Sequence, residues 1–309
     1  MNNFASLKFF KFIIGIGIIY WYLKFFLLPI SADYLNYVSY LNNLQDLTLK
    51  SSFTLSRFEP SSVLLFWLSI KIFSPQETLL LIGLVSLCLK YQIFLKRLDW
   101  PIIAFGWYLV TIAYLHDANQ LRLAIATIFM FAIMLSPDTK YNSRNLVFSL
   151  IAMSFHYTGI ICFVFYFSRR PIFLITPLIF FLIFKEFFIS QLLIFDTLRF
   201  WLANPAKYNA TITNPLFICQ SFLLIILFLY WHKLTVVQKK SGILLIFGVC
   251  IYIIFLDNPI IAHRVREISQ LGIVGLTFVK SRLSLFPRMS FQLIALLYFV
   301  YTIHHINEW

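Results

Sequence analysis

The stretch 145-NLVFSLIAMSFHYTGIICFVFYFS-168 is apolar over a length that suits a membrane span, yet it carries the polar residues 154-SFHYTG-159 at its middle. A helix that crosses a bilayer needs roughly 20 mostly apolar residues. A single helix facing lipid does not favour a histidine, hydroxyls and a glycine at its centre, because polar groups there have no water to bind. The stretch therefore predicts a membrane segment that is broken or re-entrant.

Comparable apolar runs recur along the whole chain. The 309 residues are 61% hydrophobic and 12% charged, with a mean hydropathy of +0.84, whereas soluble domains carry roughly 25% charged residues. The candidate membrane segments are 9–29, 59–74, 77–95, 101–116, 119–136, 145–168, 171–190, 215–232, 241–257, 266–280 and 286–305. These runs predict an all-α polytopic membrane protein with about ten to twelve transmembrane or re-entrant helices. We expect one domain over residues 1–309, with extramembrane loops at 30–58 and 191–214.

The net charge of +13 comes from Lys and Arg residues that sit in short loops between apolar runs. Such loops set the orientation of a membrane protein, so the charge does not predict a nucleic-acid partner. The four cysteines lie inside apolar segments without CxxC pairing, which is typical of buried hydrophobes. The histidines show no i, i+4 pair, so neither a metal site nor a cofactor is predicted.

The orientation of the chain depends on two doubtful segments. The first span, 9–29, has a basic start and no cleavage site after it, which predicts an uncleaved helix with a cytoplasmic N-terminus. If every segment crossed once, the basic loops 96-KRLDW-100 and 138-DTKYNSR-144 would face outward, against the positive-inside rule. If segment 59–74 dips in and returns and segment 145–168 is broken, every basic loop falls inside. The stretch 116-HDANQLR-122 then faces outside.

Two polar residues stand at membrane depth or at its entrance. Arg122 opens an apolar helix and shares a helix face with Asn119. It fits either an interfacial arginine that reaches lipid headgroups or an anion site within the bundle. His156 fits either a structural donor to a carbonyl freed at a kink, or a base or hydrogen-bond donor for a substrate.

A third basic position lies in 260-IIAHRVREISQLG-272. His263, Arg266, Glu267 and Gln270 fall on one helix face by their spacing. Arg264 lies about 200° around the helix from Arg266, so both cannot point at the same site unless the helix starts between them. An Arg–Glu pair confined to structure is the alternative.

Acidic and aromatic residues add weaker candidates. Asp33 and Tyr34 follow the first span, and Glu59-Pro60 opens the second segment. Either carboxylate fits a partner of a nearby arginine or a helix N-terminus, where a carboxylate and a proline at N1 are favoured. In the loop 196-DTLRFWLANPAKYNATITNP-215, Trp201 and Tyr208 offer aromatic faces for a sugar, although aromatic residues are common at membrane interfaces anyway.

The polar candidates fall near one side of the membrane in the preferred arrangement. Guanidinium groups bind phosphate oxygens through two parallel hydrogen bonds, and a histidine or carboxylate beside them can take a proton from a sugar hydroxyl. This combination favours glycosyl transfer from a polyprenyl diphosphate. The alternatives are a flippase or transporter of lipid-linked oligosaccharide, an O-antigen ligase-like glycosyltransferase, and a non-catalytic membrane subunit.

The ordered motifs 33-DYLNY-37, 59-EP-60, 119-NQLRLAIA-126, 155-FHYTG-159 and 264-RVRE-267 resemble those of EpsG/Wzy-type polysaccharide polymerases. Family members often have Gln after the arginine, where this chain has Leu123, and one usual span is missing near the N-terminus. The resemblance implies a GT-C-like fold in the bacterial inner membrane, with the active site facing the periplasm. The implied reaction joins oligosaccharide repeat units carried on undecaprenyl diphosphate into O-antigen, capsular or exopolysaccharide.

The resemblance also implies roles and partners. Diphosphate binding falls to Arg122 with Arg264 or Arg266, and the base is His156 or, failing that, Asp33 or Glu59. The glycan would contact Tyr34, Asn119, Trp201 and Tyr208. The implied pathway partners are a Wzz-like chain-length regulator and a repeat-unit flippase, and the chemistry needs no metal.

Overall fold

A computed structural model describes residues 15–24, 33–56, 58–118, 120–138, 142–192, 211–280, 283 and 285–305, and every regular element within them is helical, without a strand. The first elements are α1 (15–24), α2 (Tyr34–Gln45), α3 (Leu49–Leu55), α4 (Pro60–Ile70), α5 (Pro75–Arg97), α6 (Pro101–Tyr108) with π-helical turns over Leu109–Ala118, α7 (Leu121–Met134) and α8 (Ser143–Phe155). They are followed by a 3₁₀ helix (Tyr157–Arg169), a short 3₁₀ turn (Pro171–Leu174), α9 (Ile175–Ile183), α10 (Lys185–Leu192), α11 (Pro215–Tyr230), a further short turn (Trp231–Lys233), α12 (Val236–Ile254), α13 (Pro259–Ser269), α14 (Leu271–Thr277) and α15 (Leu285–His305). The all-α prediction is confirmed.

The apolar stretch 145–168 is two helices. α8 ends at Phe155, and His156 is extended, with φ −154° and ψ 128°. The 3₁₀ helix then folds back along α8. Gly159 packs so tightly against it that an added Cβ would lie 2.3 Å from the Ala152 carbonyl carbon. The predicted break is confirmed, and it turns the stretch into a helical hairpin.

The part of the chain between α1 and α5 begins and ends at the same end of the bundle. α1 runs antiparallel to α5, because Gly15 lies against Tyr91 and the Leu23 side chain lies against Gly83. The chain that leaves α1 therefore starts at the end where α5 begins. α4 has 11 residues and is about 16 Å long, about half of the roughly 30 Å hydrocarbon core. That segment 59–74 dips into the membrane and returns stays a prediction.

Basic residues from distant parts of the chain gather at one end of the bundle, which we call the basic end. Arg144 pairs with Asp138, whose pKa is lowered by a hydrogen bond from Ser136 and by the charges of Arg144, Lys240 and Arg97. Lys240 donates to the carbonyls of Ile133 and Ser136, at the last turn of α7. The loop after α5 meets the loop after α14, because Asp99 N–H donates to the Phe278 carbonyl.

The other end of α7 carries Arg122, and we call it the Arg122 end. α7 has 14 residues, so about 21 Å separate the two ends along its axis. By length and composition three of the described helices can each cross a membrane: Pro75–Arg97, Pro215–Lys233 and Val236–Ile254. The shorter apolar helices are Pro60–Ile70, Pro101–Ala113, Leu121–Met134, Tyr157–Ser168 and Leu285–Tyr301. The number of membrane passes stays a prediction.

Candidate functional site

The centre of the candidate site is an ion pair between Glu59 and Arg122. Glu59 is the residue before α4, and Pro60 occupies the first helical position, where its missing N–H costs nothing. The Glu59 carboxylate makes no capping hydrogen bond, so it is free to accept a hydrogen bond from Arg122 Nη1. The two side chains are only 15% and 17% exposed. The sequence offered two structural roles for Glu59, and the structure has it as the partner of an arginine.

Aromatic side chains enclose the Arg122 guanidinium. Its central carbon lies 4.0 Å from the centre of the Phe58 ring, which is a favourable cation–π distance. The Tyr37 hydroxyl is close enough to Arg122 for a hydrogen bond. Burial raises the pKa of the Tyr37 phenol, and the Arg122 charge opposes that rise. Arg122 Nε, which is buried, has no hydrogen-bond partner among the described residues.

The same carboxylate ties α4 to the helical hairpin. Glu59 Oε1 accepts a hydrogen bond of 3.1 Å from the Tyr157 backbone N–H. Ser62 donates to the Phe155 carbonyl at 2.7 Å, and Ser61 donates to the Ser154 hydroxyl at 2.9 Å. The break in the stretch 145–168 is therefore held against the start of α4, directly beside the ion pair.

His156 caps the 3₁₀ helix. Its Nδ1 accepts the Thr158 backbone N–H at 3.3 Å and lies 2.7 Å from the Thr158 hydroxyl. A nitrogen that accepts a backbone N–H carries no proton, so a neutral ring holds its proton on Nε2. The sequence suggested a structural histidine that donates to a freed carbonyl. Here Nδ1 serves a structural role at the kink, but as an acceptor.

Arg264 joins the site through Tyr157. The Tyr157 side chain, 48% exposed, interacts electrostatically with both Arg264 and Arg122. Arg264 Nη1 is 3.5 Å from a Glu267 carboxylate oxygen, longer than a close ion-pair hydrogen bond. Asp33, at the start of α2, adds its negative charge near Tyr37. The structure thus brings together five of the predicted site residues: Asp33, Glu59, Arg122, His156 and Arg264.

The remaining predicted residues lie apart or outside the described residues. Arg266 points away from Arg264, as their spacing predicted: it is 2% exposed, and its guanidinium carbon lies 5.4 Å from the Tyr252 ring centre. Tyr34 packs at the edge of the apolar cluster of α2 and α4. Asn119, Trp201 and Tyr208 lie outside the described residues.

A fully buried charged network, which the sequence reasoning missed, supports the start of α7. Lys90 and Ser86 both donate to Asp117 Oδ1, and Tyr108 donates to Oδ2. Ser86 also donates to the Ala124 carbonyl at 3.0 Å, in the first turn after Arg122. The signal was present, because Lys90 stands inside an apolar run, where an ionisable side chain is a functional candidate by default.

Among the described residues, no group of three His, Cys, Asp or Glu side chains is placed to hold a metal ion. A model of the EpsG family matches residues 8–308. The chain therefore belongs to the EpsG family, whose members are membrane proteins resembling Wzy-type polysaccharide polymerases. No curated protein and no solved structure gives a significant match. The resemblance seen in the ordered motifs is confirmed.

Proposed function

We propose that this member of the EpsG family joins oligosaccharide repeat units carried on undecaprenyl diphosphate into a polysaccharide. The observation that carries the proposal is the convergence of Glu59, Arg122, Tyr157 and Arg264 at the Arg122 end of the bundle. Those residues come from four separate regions of the chain. They provide a carboxylate and two guanidinium groups around one partly exposed aromatic ring.

The two arginines suit a diphosphate. A guanidinium stays charged at every relevant pH and binds phosphate oxygens in a planar fork. The Arg264 side chain is 36% exposed, and its contact with Glu267 is long, at 3.5 Å, so an incoming anion can reach its guanidinium. Arg122 is already paired, and a phosphate must replace Glu59 as its partner. We therefore assign first capture of the diphosphate to Arg264.

Glu59 then links proton transfer to charge release. The hydroxyl oxygen of the acceptor sugar forms a bond to the anomeric carbon of the donor, and the bond from that carbon to the diphosphate oxygen breaks. The hydroxyl proton moves to Glu59, and the bonding electrons leave with the diphosphate. A protonated Glu59 no longer pairs strongly with Arg122, whose guanidinium then stabilises the charge developing on the leaving group. The chemistry asks for no metal, because the arginines supply the positive charge.

The geometry favours Glu59 over His156 as the base. His156 Nδ1 is occupied as a helix cap, and the other nitrogen carries the proton of the neutral ring. His156 instead fixes the start of the 3₁₀ helix, and with it the Tyr157 N–H that Glu59 accepts. Asp33 lies near Tyr37, and Tyr37 contacts Arg122, so Asp33 affects Arg122 only through Tyr37. Tyr34, Asn119, Trp201 and Tyr208 remain our proposed contacts for the glycan.

We further propose that the bundle lies in the bacterial inner membrane with a GT-C-like arrangement and about ten to twelve passes. The eleven apolar segments of the sequence are the basis for this number. The basic end would face the cytoplasm by the positive-inside rule, and the site would face the periplasm. The products would be O-antigen, capsular or exopolysaccharide. A Wzz-like regulator and a repeat-unit flippase would act in the same pathway.

The test uses purified protein in detergent with an undecaprenyl-diphosphate-linked repeat unit, and products are resolved as a ladder on a gel. Wild type should make a ladder, and Arg122→Ala, Glu59→Gln and Arg264→Ala should not, at matched folded protein. Arg144→Ala is the control, because it removes an arginine that pairs with a carboxylate at the basic end. It should leave the ladder intact.

Other outcomes would select the alternatives. Well-folded wild type that makes no ladder but moves the same lipid across liposomes would be a flippase or transporter. Transfer of glycan only to a different lipid acceptor would indicate an O-antigen ligase-like enzyme. Either result would overturn the polymerase proposal.

A further inference from the structure

A second polar cluster lies at the Arg122 end, among α11, α12, α13 and α15. Arg266 is 2% exposed and Gln220 is fully buried. Arg266 Nε and Nη1 have no hydrogen-bond partner among the described residues, and neither do Gln220 Oε1 and Nε2. Buried polar atoms in folded proteins almost always have partners. Several unpartnered atoms in one region therefore point to a missing ligand.

Tyrosines connect these side chains. Tyr252 lies beneath the Arg266 guanidinium and stacks on Phe217, with 4.8 Å between ring centres. Tyr298 donates to the Leu216 carbonyl at 3.3 Å and interacts electrostatically with Arg266. Residue 216 is one helical turn before Gln220, so α11 brings the amide to the same cluster.

The charge of Arg266 is not balanced by a carboxylate anywhere in the part of the chain that the structure describes. Among the described residues no carboxylate forms an ion pair with it, and the next acidic side chain along the helix, Glu267, pairs with Arg264 instead. Arginine cannot lose its proton to escape the cost of burial. A buried charge without a partner is strongly unfavourable, and a stacked tyrosine ring offsets only part of that cost. An anion in the cluster would remove the penalty.

We propose that Arg266, Gln220 and the tyrosines around them form a second anion site, distinct from the Glu59–Arg122 site, that takes the phosphate group of a lipid. Arg266 would bind phosphate oxygens through its free Nε and Nη1, and Gln220 would donate through its amide nitrogen. Arg264 and Arg266 would then serve two anions on different faces of α13. A reaction that joins two lipid-linked units needs room for two such headgroups.

The outer faces of two helices around the cluster are apolar. α11 and α15 present apolar side chains outward, including Ile218 and Phe222 on α11 and Leu293 and Leu297 on α15. These side chains suit contact with acyl or prenyl chains. A lipid tail lying along this surface would bring its headgroup to the level of Tyr298.

The first measurement is thermal unfolding of purified protein in detergent without added lipid. Arg266→Met replaces the unpaired charge with an unbranched, flexible apolar side chain, so this variant should unfold at a higher temperature than wild type. Arg264→Met is the matched control on the same helix. It removes an arginine that has a partner, and it should not raise the unfolding temperature. If Arg266→Met is less stable than wild type, the charge is already satisfied and the proposal fails.

The second measurement adds inorganic pyrophosphate, undecaprenyl diphosphate or phosphatidylglycerol and follows the rise in unfolding temperature, which reports binding to the folded state. Arg266→Met and Gln220→Leu should each raise the half-saturating concentration of the effective anion by about tenfold or more. Undecaprenyl diphosphate acting alone would identify a second substrate, and an equal effect of phosphatidylglycerol would identify a structural lipid. An unchanged titration in both variants would overturn the site.

The site itself does not depend on the proposed polymerase activity; only the identity of its lipid rests on that function. A protein that makes no polymer but loses anion binding in Arg266→Met would refute the proposed function and leave the anion site standing. If the protein makes polymer and its Arg266→Met variant binds undecaprenyl diphosphate and phosphatidylglycerol as wild type does, the proposed function stands and the second anion site is refuted.

Discussion

Glu59 and Arg122 stand 63 residues apart in the chain and meet as an ion pair at the point where α4, α7 and the hairpin converge. One Glu59 oxygen accepts a hydrogen bond from Arg122 Nη1, and the other accepts one from the Tyr157 backbone N–H. The carboxylate thus holds the cation and also the turn that presents Tyr157 to Arg264. Any step that protonates Glu59 loosens both contacts at once.

Replacing Arg122 with lysine should abolish most activity although the charge remains. Lysine has no planar fork, so it cannot bind a diphosphate through two parallel hydrogen bonds and cannot stack as a guanidinium does on Phe58. We expect a loss of about 100-fold in polymer formation, similar to the removal of one donor to a developing charge in other enzymes. The measurement is the initial rate of ladder formation at matched folded protein. Full polymer length in Arg122→Lys would contradict the assignment.

The variant His156→Asn tests whether His156 caps the 3₁₀ helix or acts as the catalytic base. Asparagine is among the best capping residues, since its oxygen accepts a backbone N–H as His156 Nδ1 does here. If His156 only positions the hairpin, His156→Asn should keep most of the activity, while His156→Ala should lose about 1 kcal/mol of stability with the cap. A collapse of activity in a stable His156→Asn protein would return the role of base to the histidine.

Lys90 and Asp117 should behave as one unit. Both side chains are fully buried, so Lys90→Met alone or Asp117→Asn alone leaves a charge without a partner, at a cost of about 3–5 kcal/mol. The double variant Lys90→Met, Asp117→Asn removes both charges and should recover most of the lost stability. Chemical or thermal unfolding of the four proteins measures the coupling. If the double variant loses as much stability as the two single variants together, the ion pair is not the reason why the single variants are destabilised.

Part of this site follows from the sequence, because some of its signals are local. The polar break at 154-SFHYTG-159 predicts the hairpin, since a histidine and a glycine inside an apolar run rarely fit one lipid-facing helix. The spacing of Arg264 and Arg266 predicts that they diverge, because two residues on a helix lie about 200° apart. Glu59 before Pro60 predicts a helix start, and the helix begins there.

The rest depends on long-range contacts that no local pattern specifies. Phe58 and Tyr37 surround Arg122 only because α2 and α4 fold onto the start of α7. The sequence predicted a lipid phosphate as the partner of Arg122, whereas its partner in the structure is Glu59. The network of Lys90 and Asp117 joins α5 to the turns before α7, and the two residues lie 27 positions apart in the chain.

The two ends of the bundle should face opposite sides of the membrane. Ser143 and Thr213 are exposed and lie near the basic end and the Arg122 end, respectively. With the four native cysteines replaced, Thr213→Cys should react with a membrane-impermeant maleimide in intact spheroplasts, and Ser143→Cys should react only after lysis. Lysis serves as the control for reactivity in both variants. The reverse labelling pattern would turn the site toward the cytoplasm and remove the periplasmic assignment.

Gly159→Ala should prevent the hairpin from closing. The added Cβ would lie 2.3 Å from the Ala152 carbonyl carbon and 2.4 Å from the Met153 nitrogen. These are backbone atoms of α8, which cannot move aside as a flexible side chain can, so we expect a loss of at least about 3 kcal/mol. Gly106→Ala is the matched control, because nothing lies within 4 Å of its added Cβ, and alanine favours a helix by about 1 kcal/mol over glycine. The yield of monodisperse protein and its unfolding temperature measure both variants. If Gly159→Ala is as stable as Gly106→Ala, α8 and the 3₁₀ helix are not packed as a hairpin, and Glu59 loses the fixed Tyr157 N–H on which the proposed site depends.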